Sequence, residues 1–205
     1  MEVLLFSGGI ESTCLAFMRR PDVCLTIDYG QKQSTGEIRA ATNISEFLEL
    51  NHQIMTVDLS RLGSGQMVGK PAIKSALIPE FWPFRNQLLI TLCAMKFADE
   101  DNVKIILGST KSDSSHVDGT YEFVSRLREL LLIQEGRIDL IAPAIHTSSL
   151  DFVQESQISP DLLDMTFSCF EANYPCGRCR GCLKNEDLRS LYYTMKPTCS
   201  LDRPT

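Results

Sequence analysis

The stretch Leu5-Phe6-Ser7-Gly8-Gly9-Ile10-Glu11-Ser12-Thr13 (LFSGGIEST) follows a short apolar run and leads into a segment with helical spacing. This order predicts a strand, a tight turn and a helix. Two adjacent glycines let the backbone turn sharply and approach a ligand, and the first amide groups of the following helix attract an anion. The stretch therefore predicts an anion-binding turn, although a turn that serves only packing is an alternative on local grounds.

Strand-like and helix-like segments alternate along the rest of the chain. Apolar runs predict strands over residues 2–6, 23–28, 53–59, 104–107 and 138–141, and helical spacing predicts helices over 12–20, 37–50, 84–98 and 121–134. This alternation predicts an α/β fold with a doubly wound, mainly parallel five-stranded sheet that binds ligands at the carboxyl ends of its strands. Residues 60–83, rich in Gly, Ser and Pro, predict a long loop whose role the composition does not decide.

Length and charge exclude several classes of protein. The 205 residues fit one main domain, and no apolar run approaches the roughly 18 residues needed to cross a bilayer. A net charge of −6 argues against a protein that coats nucleic acid, because phosphate binding on that scale needs a basic surface. The sequence starts without a basic and apolar leader, so we expect a cytoplasmic protein that binds small molecules.

Four of the eight cysteines, Cys169, Cys176, Cys179 and Cys182, crowd into one segment with the spacing C-x6-C-x2-C-x2-C. Disulfides are unusual in the cytoplasm, whereas two C-x2-C steps form a knuckle that a fourth thiolate closes into a tetrahedral zinc site. Four sulfur ligands leave no open position, so the predicted zinc is structural. An iron–sulfur cluster and chance cysteines are the alternatives. Three other cysteines are expected in the core: Cys14, Cys24 and Cys93.

The opening turn, read as Ser7-Gly8-Gly9-Ile10-Glu11-Ser12, resembles the SGGxDS loop (PP-loop) of the ATP pyrophosphatase superfamily. In that superfamily the loop holds the phosphates of ATP while a substrate is adenylated. Further blocks follow in the order found in the QueC-like 7-cyano-7-deazaguanine synthases of queuosine biosynthesis, and the similarity covers about residues 1–190. These blocks are Tyr29-Gly30-Gln31 with Glu37, Pro83-Phe84-Arg85-Asn86, Gly108 with Asp113, Asp118 and Phe123, and the cysteine cluster.

The resemblance implies a PP-loop fold of the adenine nucleotide alpha hydrolase type and a carbon–nitrogen ligase. The carboxylate of 7-carboxy-7-deazaguanine would attack the α-phosphate of ATP, pyrophosphate would leave, and ammonia would displace AMP to give an amide that a second round dehydrates to a nitrile. ATP with Mg²⁺ and structural zinc are the implied cofactors. Catalytic roles are implied for Arg85, Asp113 and Asp118, and ATP contacts for Ser7, Gly8, Gly9, Glu11, Ser12, Thr13, Tyr29, Gln31 and Gly108.

Plainer interpretations exist for single residues. Arg85 suits the exposed start of a helix, and Asn86 suits a helix cap. Without the resemblance, Asp113 and Asp118 are most simply two solvated acids in a loop.

Three departures from the family pattern lie near the expected reaction centre. Glu11 stands where the family has Asp, which carries the carboxylate one methylene further out. The family's Tyr-Pro-Asp-Cys run is replaced by His-Val-Asp-Gly at residues 116–119, where Asp118 alone is kept. A lysine expected after the proline that follows the last strand is replaced by Ser149 or a neighbour.

These departures leave three functions open. The chain is either a synthase that uses ammonia, or similar to the QueC-like proteins of anti-phage defence operons that are thought to pass a deazaguanine acyl group to a protein amine. The third function, in a different class, is a degenerate homologue that binds a nucleotide or a partner without turnover. A homodimer is one option for the assembly of this chain, whichever function it has.

We expect three regions along the chain. Residues 1–160 would form the ATP-binding α/β domain, and residues 161–195 a zinc-binding subdomain with a helix packed on it. Residues 196–205 would form a tail, in which Cys199 has no assigned role.

Overall fold

The computed structural model describes residues 1–76, 78–113 and 116–195, so the predicted tail and Cys199 lie outside the described residues. Five parallel strands form one sheet in the order β3-β2-β1-β4-β5. Their bounds are β1 (Glu2–Leu5), β2 (Val23–Asp28), β3 (His52–Thr56), β4 (Lys104–Ile106) and β5 (Asp139–Ile141). The predicted α/β class with a parallel five-stranded sheet is confirmed.

Seven α-helices lie in the described part of the chain. The four predicted helices appear as α1 (Ile10–Arg19), α2 (Ser34–Phe47), α3 (Arg85–Lys96) and α4 (Tyr121–Ile133), followed by α5 (Ser149–Ser156), α6 (Pro160–Asp164) and α7 (Arg180–Met195). The predicted C-terminal helix is α7, whereas α5 and α6 were not predicted. None of the described helices is both long and apolar enough to span a membrane.

Alternate side chains of each strand point to opposite faces of the sheet and build two cores. On one face, Val3 and its neighbours in the other strands pack against α3, α4 and the loop residue Trp82. On the other face, Leu4 and its neighbours pack against α1, α2 and α5 to α7, including Tyr192 of α7. The sheet is therefore doubly wound, and the C-terminal segment shares its core, so a boundary at residue 160 stays a prediction. The expected core cysteines are buried: Cys14, Cys24 and Cys93.

Gly8 lets the turn after β1 lie directly against α2. Its φ is +71°, and a Cβ atom added there would lie 2.8 Å from the backbone nitrogen of Ala41 and 2.9 Å from the Cβ atom of Ala40. L-residues avoid this backbone conformation, and the neighbouring helix leaves no room for a methyl group. The position of the turn above the sheet thus depends on glycine at residue 8.

We predict that Gly8→Ala lowers the free energy of unfolding by about 3 kcal/mol, because left-handed strain and overpacking add at this position. The matched control is Gly69→Ala. Gly69 has a similar φ of +66°, but the atoms nearest to an added Cβ are 3.6 Å away in the flexible side chain of Lys32. That variant should lose only about 1 kcal/mol. Urea denaturation measures both losses, and equal values would contradict the steric argument.

Candidate active site

A cavity of about 300 Å³ opens at the carboxyl edge of the sheet, where β1, β2 and β4 end. Several predicted site residues line it, while others lie behind its wall. The lining residues are Ser7, Gly9, Glu11, Ser12, Tyr29, Arg85, Gly108 and Asp113, together with Cys169 of the cysteine cluster. The predicted residues outside the lining are Gly8, Thr13, Gln31 and Asp118, and the remaining three cysteines.

The turn after β1 is held by its own hydroxyl groups. The backbone nitrogen of Gly9 donates to Ser7 Oγ (3.3 Å), while Ser12 Oγ and Thr13 Oγ1 donate to the carbonyl oxygen of Gly9 (3.0 and 2.8 Å). Gly9 is the N-cap of α1 and has no side chain to cap it, so the first amide groups of the helix are left for an anion. A Cβ atom at Gly108 would lie 3.3 Å from the backbone nitrogen of Ser12, so the end of β4 closely approaches this helix start.

A second wall of the cavity contains a partly buried carboxylate, Glu37. Gln31 accepts a hydrogen bond from the backbone nitrogen of Tyr29 (2.8 Å) and donates one to Glu37 Oε2 (2.8 Å). Burial raises the pKa of Glu37 to about 7, against the opposing effects of Gln31 and the Arg85 guanidinium. Burial also raises the pKa of Tyr29, whose ring packs edge-on against Trp82 at 4.8 Å between centroids.

Asp118 holds the start of α3. Its Oδ2 atom accepts a hydrogen bond from the backbone nitrogen of Asn86 (3.0 Å), and Asn86 Nδ2 donates to the carbonyl oxygen of Asp118 (3.0 Å). The carboxylate therefore caps the helix whose first residue is Arg85, which faces the cavity. The catalytic role predicted for Asp118 stays a prediction, and its observed contacts position Arg85.

Three lining residues, Glu11, Asp113 and Lys184, belong to a closed network of charged and hydroxyl groups. Lys184 Nζ donates to Glu11 Oε1 (2.7 Å) and to Asp113 Oδ1 (3.3 Å). Asp113 Oδ2 accepts from Thr110 Oγ1 (3.1 Å), Thr110 Oγ1 lies 3.0 Å from Ser149 Oγ, and Ser149 Oγ donates to Glu11 Oε1 (2.7 Å). Burial lowers the pKa of Lys184, but the combined effect of the two carboxylates is larger and raises it, so the net shift is upward.

Sequence reasoning missed Lys184. The residue lies 173 positions from Glu11, and it has no local motif that marks it as a cavity residue. Its position two residues after Cys182 was the one available signal, because a knuckle that folds back onto the loop carries its neighbours with it. His116, Met67 and Asn185 also line the cavity and were not predicted as site residues.

The four cysteines are arranged to hold a metal ion such as zinc. Their sulfur atoms all lie within 4.8 Å of one another, with 3.9 Å between Cys176 and Cys182 and 4.0 Å between Cys179 and Cys169. A tetrahedral zinc with sulfur ligands at about 2.3 Å requires about 3.8 Å between sulfurs, so the spacing fits. Backbone amides of Phe170 and Cys182 donate to Cys179 Sγ, as expected for a sulfur that carries negative charge.

The cysteine cluster connects the PP-loop to the rest of the C-terminal segment. The backbone nitrogen of Phe167 donates to the carbonyl oxygen of Gly8 (2.9 Å), two residues before Cys169. On the other side, Arg180 at the start of α7 pairs with the buried Glu80 of the long loop (3.3 Å). The predicted loop 60–83 is thus fastened to the C-terminal segment, and its Met67 forms part of the cavity wall.

We predict that Cys179→Ser removes stoichiometric metal and destabilises the protein, because a tetrahedral site that loses one thiolate binds zinc weakly. Elemental analysis of the purified protein measures the metal, and thermal unfolding measures the stability. The control is Cys93→Ser, which alters a buried thiol outside the cluster and should keep the metal. A full equivalent of zinc in Cys179→Ser would contradict the ligand set.

The chain is similar in sequence to curated 7-cyano-7-deazaguanine synthases. The 7-cyano-7-deazaguanine synthase 1 of Desulfitobacterium hafniense (strain Y51) is 32% identical over 203 residues, covering 93% of this chain and 91% of the relative. The 7-cyano-7-deazaguanine synthase of Campylobacter curvus (strain 525.92) is 29% identical over 198 residues, covering 88% of each.

Among solved structures, a predicted subunit of tRNA methyltransferase from Methanocaldococcus jannaschii aligns with a TM-score of 0.49 at 17% identity, covering 76% of this chain and 74% of that one. The family model described as "Queuosine biosynthesis protein QueC" matches residues 1–190. Because this match spans nearly all of the chain, the chain belongs to the QueC family.

Proposed function

We propose that the chain adenylates the carboxylate of 7-carboxy-7-deazaguanine with ATP and transfers the acyl group to ammonia, which yields 7-cyano-7-deazaguanine after a second ATP-dependent step. The observation that carries this proposal is the meeting of three features around one cavity. These features are the loop that opens α1, the ammonium–carboxylate cluster of Lys184, Glu11 and Asp113, and the guanidinium of Arg85. Family membership supports the same reaction.

The phosphates of ATP would bind at the start of α1. The amide groups after Gly9 and the hydroxyls of Ser7 and Ser12 are donors, and the helix dipole favours negative charge there. Glu11 and Asp113 offer the carboxylate oxygens that Mg²⁺ prefers, so they are the proposed holders of the ion that accompanies ATP. Stabilising the charge of the leaving pyrophosphate is the main task of such a site.

The deazaguanine base would bind at the wall that contains Glu37. A guanine-like base presents the N1–H and 2-amino donors side by side, and an ionised carboxylate accepts both. Gln31 fixes one carboxylate oxygen, and Gln33 Nε2 lies 3.4 Å from the other. Arg85 lies close enough to affect the pKa of Glu37 and would neutralise the substrate carboxylate or the α-phosphate.

The proposed steps balance without a redox partner. The substrate carboxylate oxygen attacks the α-phosphorus, the bond to pyrophosphate breaks, and an acyl adenylate forms. Ammonia then attacks the acyl carbon, AMP leaves, and the nitrogen loses a proton to give the amide. In the second round the amide oxygen attacks the α-phosphorus of another ATP and pyrophosphate leaves. The nitrogen then loses both of its protons and AMP departs, which gives the nitrile. The four-cysteine site, with zinc as its proposed ion, would have a structural role.

A second acceptor is favoured by three exposed apolar side chains that lie within two positions of cavity-lining residues in the sequence: Phe84, Val117 and Tyr121. These side chains are 74%, 74% and 59% exposed. Phe84 adjoins Arg85 of the cavity wall, and Val117 follows His116 of that wall. Exposed apolar groups beside a cavity are typical of protein-binding sites. The second candidate is therefore transfer of the acyl group to an amine of a protein, as the resemblance to defence-associated homologues also implies.

The experiment that tests the proposal incubates the protein with ATP, Mg²⁺ and 7-carboxy-7-deazaguanine and measures AMP. Ammonia is added in one arm, and a protein encoded beside the gene in another. Amide and nitrile in the ammonia arm would support the synthase, and a mass increase on the protein would support conjugation. The absence of AMP in every arm would overturn both enzyme functions and favour a degenerate homologue that only binds.

We predict that Glu37→Gln lowers kcat/KM for 7-carboxy-7-deazaguanine by about ten- to a hundredfold, because a charged hydrogen-bond acceptor is lost. The pKa of Glu37 is raised to about 7, so the ionised form that accepts the two N–H groups gains population as pH rises through that value. Substrate affinity of the parent protein should therefore increase from pH 6 to 8, about one unit either side of that pKa, and Glu37→Gln should abolish this increase.

Affinity for the base is measured by calorimetry across this pH range. The control is Glu46→Gln, an exposed carboxylate on the same helix. This control should keep the parent affinity and pH profile. An unchanged pH profile in Glu37→Gln would contradict the assignment of the base to this wall.

A further inference from the structure

We propose that Lys184 is a catalytic residue that contacts the phosphates of ATP and replaces the lysine missing at position 149. The identity of the nucleotide rests on the proposed function above. The positive charge of the site has moved, on this account, from the start of α5 to the first turns of α7. Three observations support the proposal: where the ammonium lies, which oxygen it shares with Ser149, and how α7 is anchored.

The ammonium group of Lys184 reaches the cavity beside the PP-loop. Its Nζ atom is 2.7 Å from Glu11 Oε1 and 3.3 Å from Asp113 Oδ1. An ammonium has three N–H donors, and these contacts use two of them. Lys184 lines the same cavity as Ser7 and Ser12, so its remaining donor can reach a phosphate oxygen bound at the start of α1.

Ser149 and Lys184 meet at one atom. Ser149 Oγ and Lys184 Nζ each lie 2.7 Å from Glu11 Oε1. A lysine at position 149 or a neighbouring one, as the family pattern expects, would therefore bring its charge to the cluster that Lys184 now joins. The additional methylene of Glu11, compared with Asp, extends that carboxylate away from its own helix. The two departures at residues 11 and 149 thus have one common explanation, because the cluster keeps two carboxylates and one ammonium.

Lys184 is fixed in place by the segment around the cysteine cluster. It lies two residues after Cys182 in α7, and the next residue, Asn185, donates to Thr166 Oγ1 and Ser168 Oγ at 3.2 Å each. Gly181 allows α7 to lie against the segment that contains Ser168, since an added Cβ would come within 1.9 Å of the carbonyl oxygen of Ser168. A lysine on this anchored turn is preorganised for an anion rather than free in solvent.

A purely structural role is the competing explanation. In that case Lys184 would only separate two like-charged carboxylates, and any group that relieves their repulsion would suffice. The two roles differ in what happens to affinity for ATP when the fold is intact.

The experiment compares Lys184→Gln, which keeps a hydrogen-bond donor but removes the charge, with Lys184→Gln carrying Ser149→Lys. Binding of ATP with Mg²⁺ is measured by calorimetry, and thermal unfolding and metal content are measured for every variant. We expect Lys184→Gln to weaken ATP binding at least about tenfold, as for loss of a charged hydrogen bond, and the double variant to recover most of that loss. The control is Lys104→Met, whose side chain is 40% exposed against 36% for Lys184 and pairs with Glu2. It should bind ATP normally.

Two results would overturn the inference. One is a folded Lys184→Gln protein that binds ATP within about twofold of the parent, a difference under 0.5 kcal/mol. The other is a folded double variant that shows no recovery. If Lys184→Gln does not fold, Lys184→Arg is used instead, because it keeps the positive charge and should bind ATP. A folded Lys184→Arg protein that binds no ATP would also overturn the inference.

Failure of the proposed function gives a different pattern. If the parent binds ATP in a Lys184-dependent way but never forms AMP, the inference stands and the ligase reaction does not. If AMP forms at equal rates in parent and Lys184→Gln, the reaction stands and the inference is overturned.

Discussion

The ion pair between Lys184 and Glu11 joins the two ends of the chain at the place where chemistry is proposed. Glu11 belongs to the helix that starts at the PP-loop, and Lys184 belongs to the helix that starts in the cysteine cluster. Without Lys184, the carboxylates of Glu11 and Asp113 would lie close together, and no other described residue forms an ion pair with either of them. Repulsion of that kind would also oppose the phosphates of a nucleotide. The C-terminal segment therefore supplies the positive charge that lies beside the N-terminal loop.

The cysteine cluster connects several parts of this arrangement. Its four sulfurs are spaced for a tetrahedral ion, and four sulfur ligands would leave no open position on that ion, so the role that we propose for the cluster is mechanical. It holds the turn that carries Phe167 against Gly8 and starts the helix that carries Lys184. The buried Glu80 ties the long loop to the same helix through Arg180. The loop after β1, the long loop 60–83 and the helix that carries Lys184 are thus all connected to one small segment.

Much of the fold followed from the sequence because its signals are local. Most strands lie in short apolar runs, and Gly8 of the PP-loop sits where a positive φ and a close helix leave no alternative. Helices α5 and α6 were missed because they have eight and five residues, too few for a periodic pattern, although Ser148 and Ser159 cap them. The sequence signal for these two helices was the capping serine before each of them, not a spacing of apolar residues.

The site was only partly predictable for the opposite reason, since its decisive contacts are distant in sequence. Motif matching drew attention to Asp118, yet its carboxylate is engaged with the backbone of Asn86 and supports Arg85 indirectly. The missing lysine at position 149 suggested a loss of function, whereas the folded chain brings Lys184 to the same oxygen of Glu11. A departure from a family motif can be judged only when the groups that replace it in space are known.

The central claim, adenylation of a deazaguanine carboxylate, is tested most directly by exchange of labelled pyrophosphate into ATP. Formation of an acyl adenylate is reversible and precedes the acceptor, so the exchange requires neither ammonia nor a partner protein. We predict exchange that depends on both Mg²⁺ and 7-carboxy-7-deazaguanine. Exchange that is absent with the carboxylate present, in protein that carries its metal and binds ATP, would contradict the account.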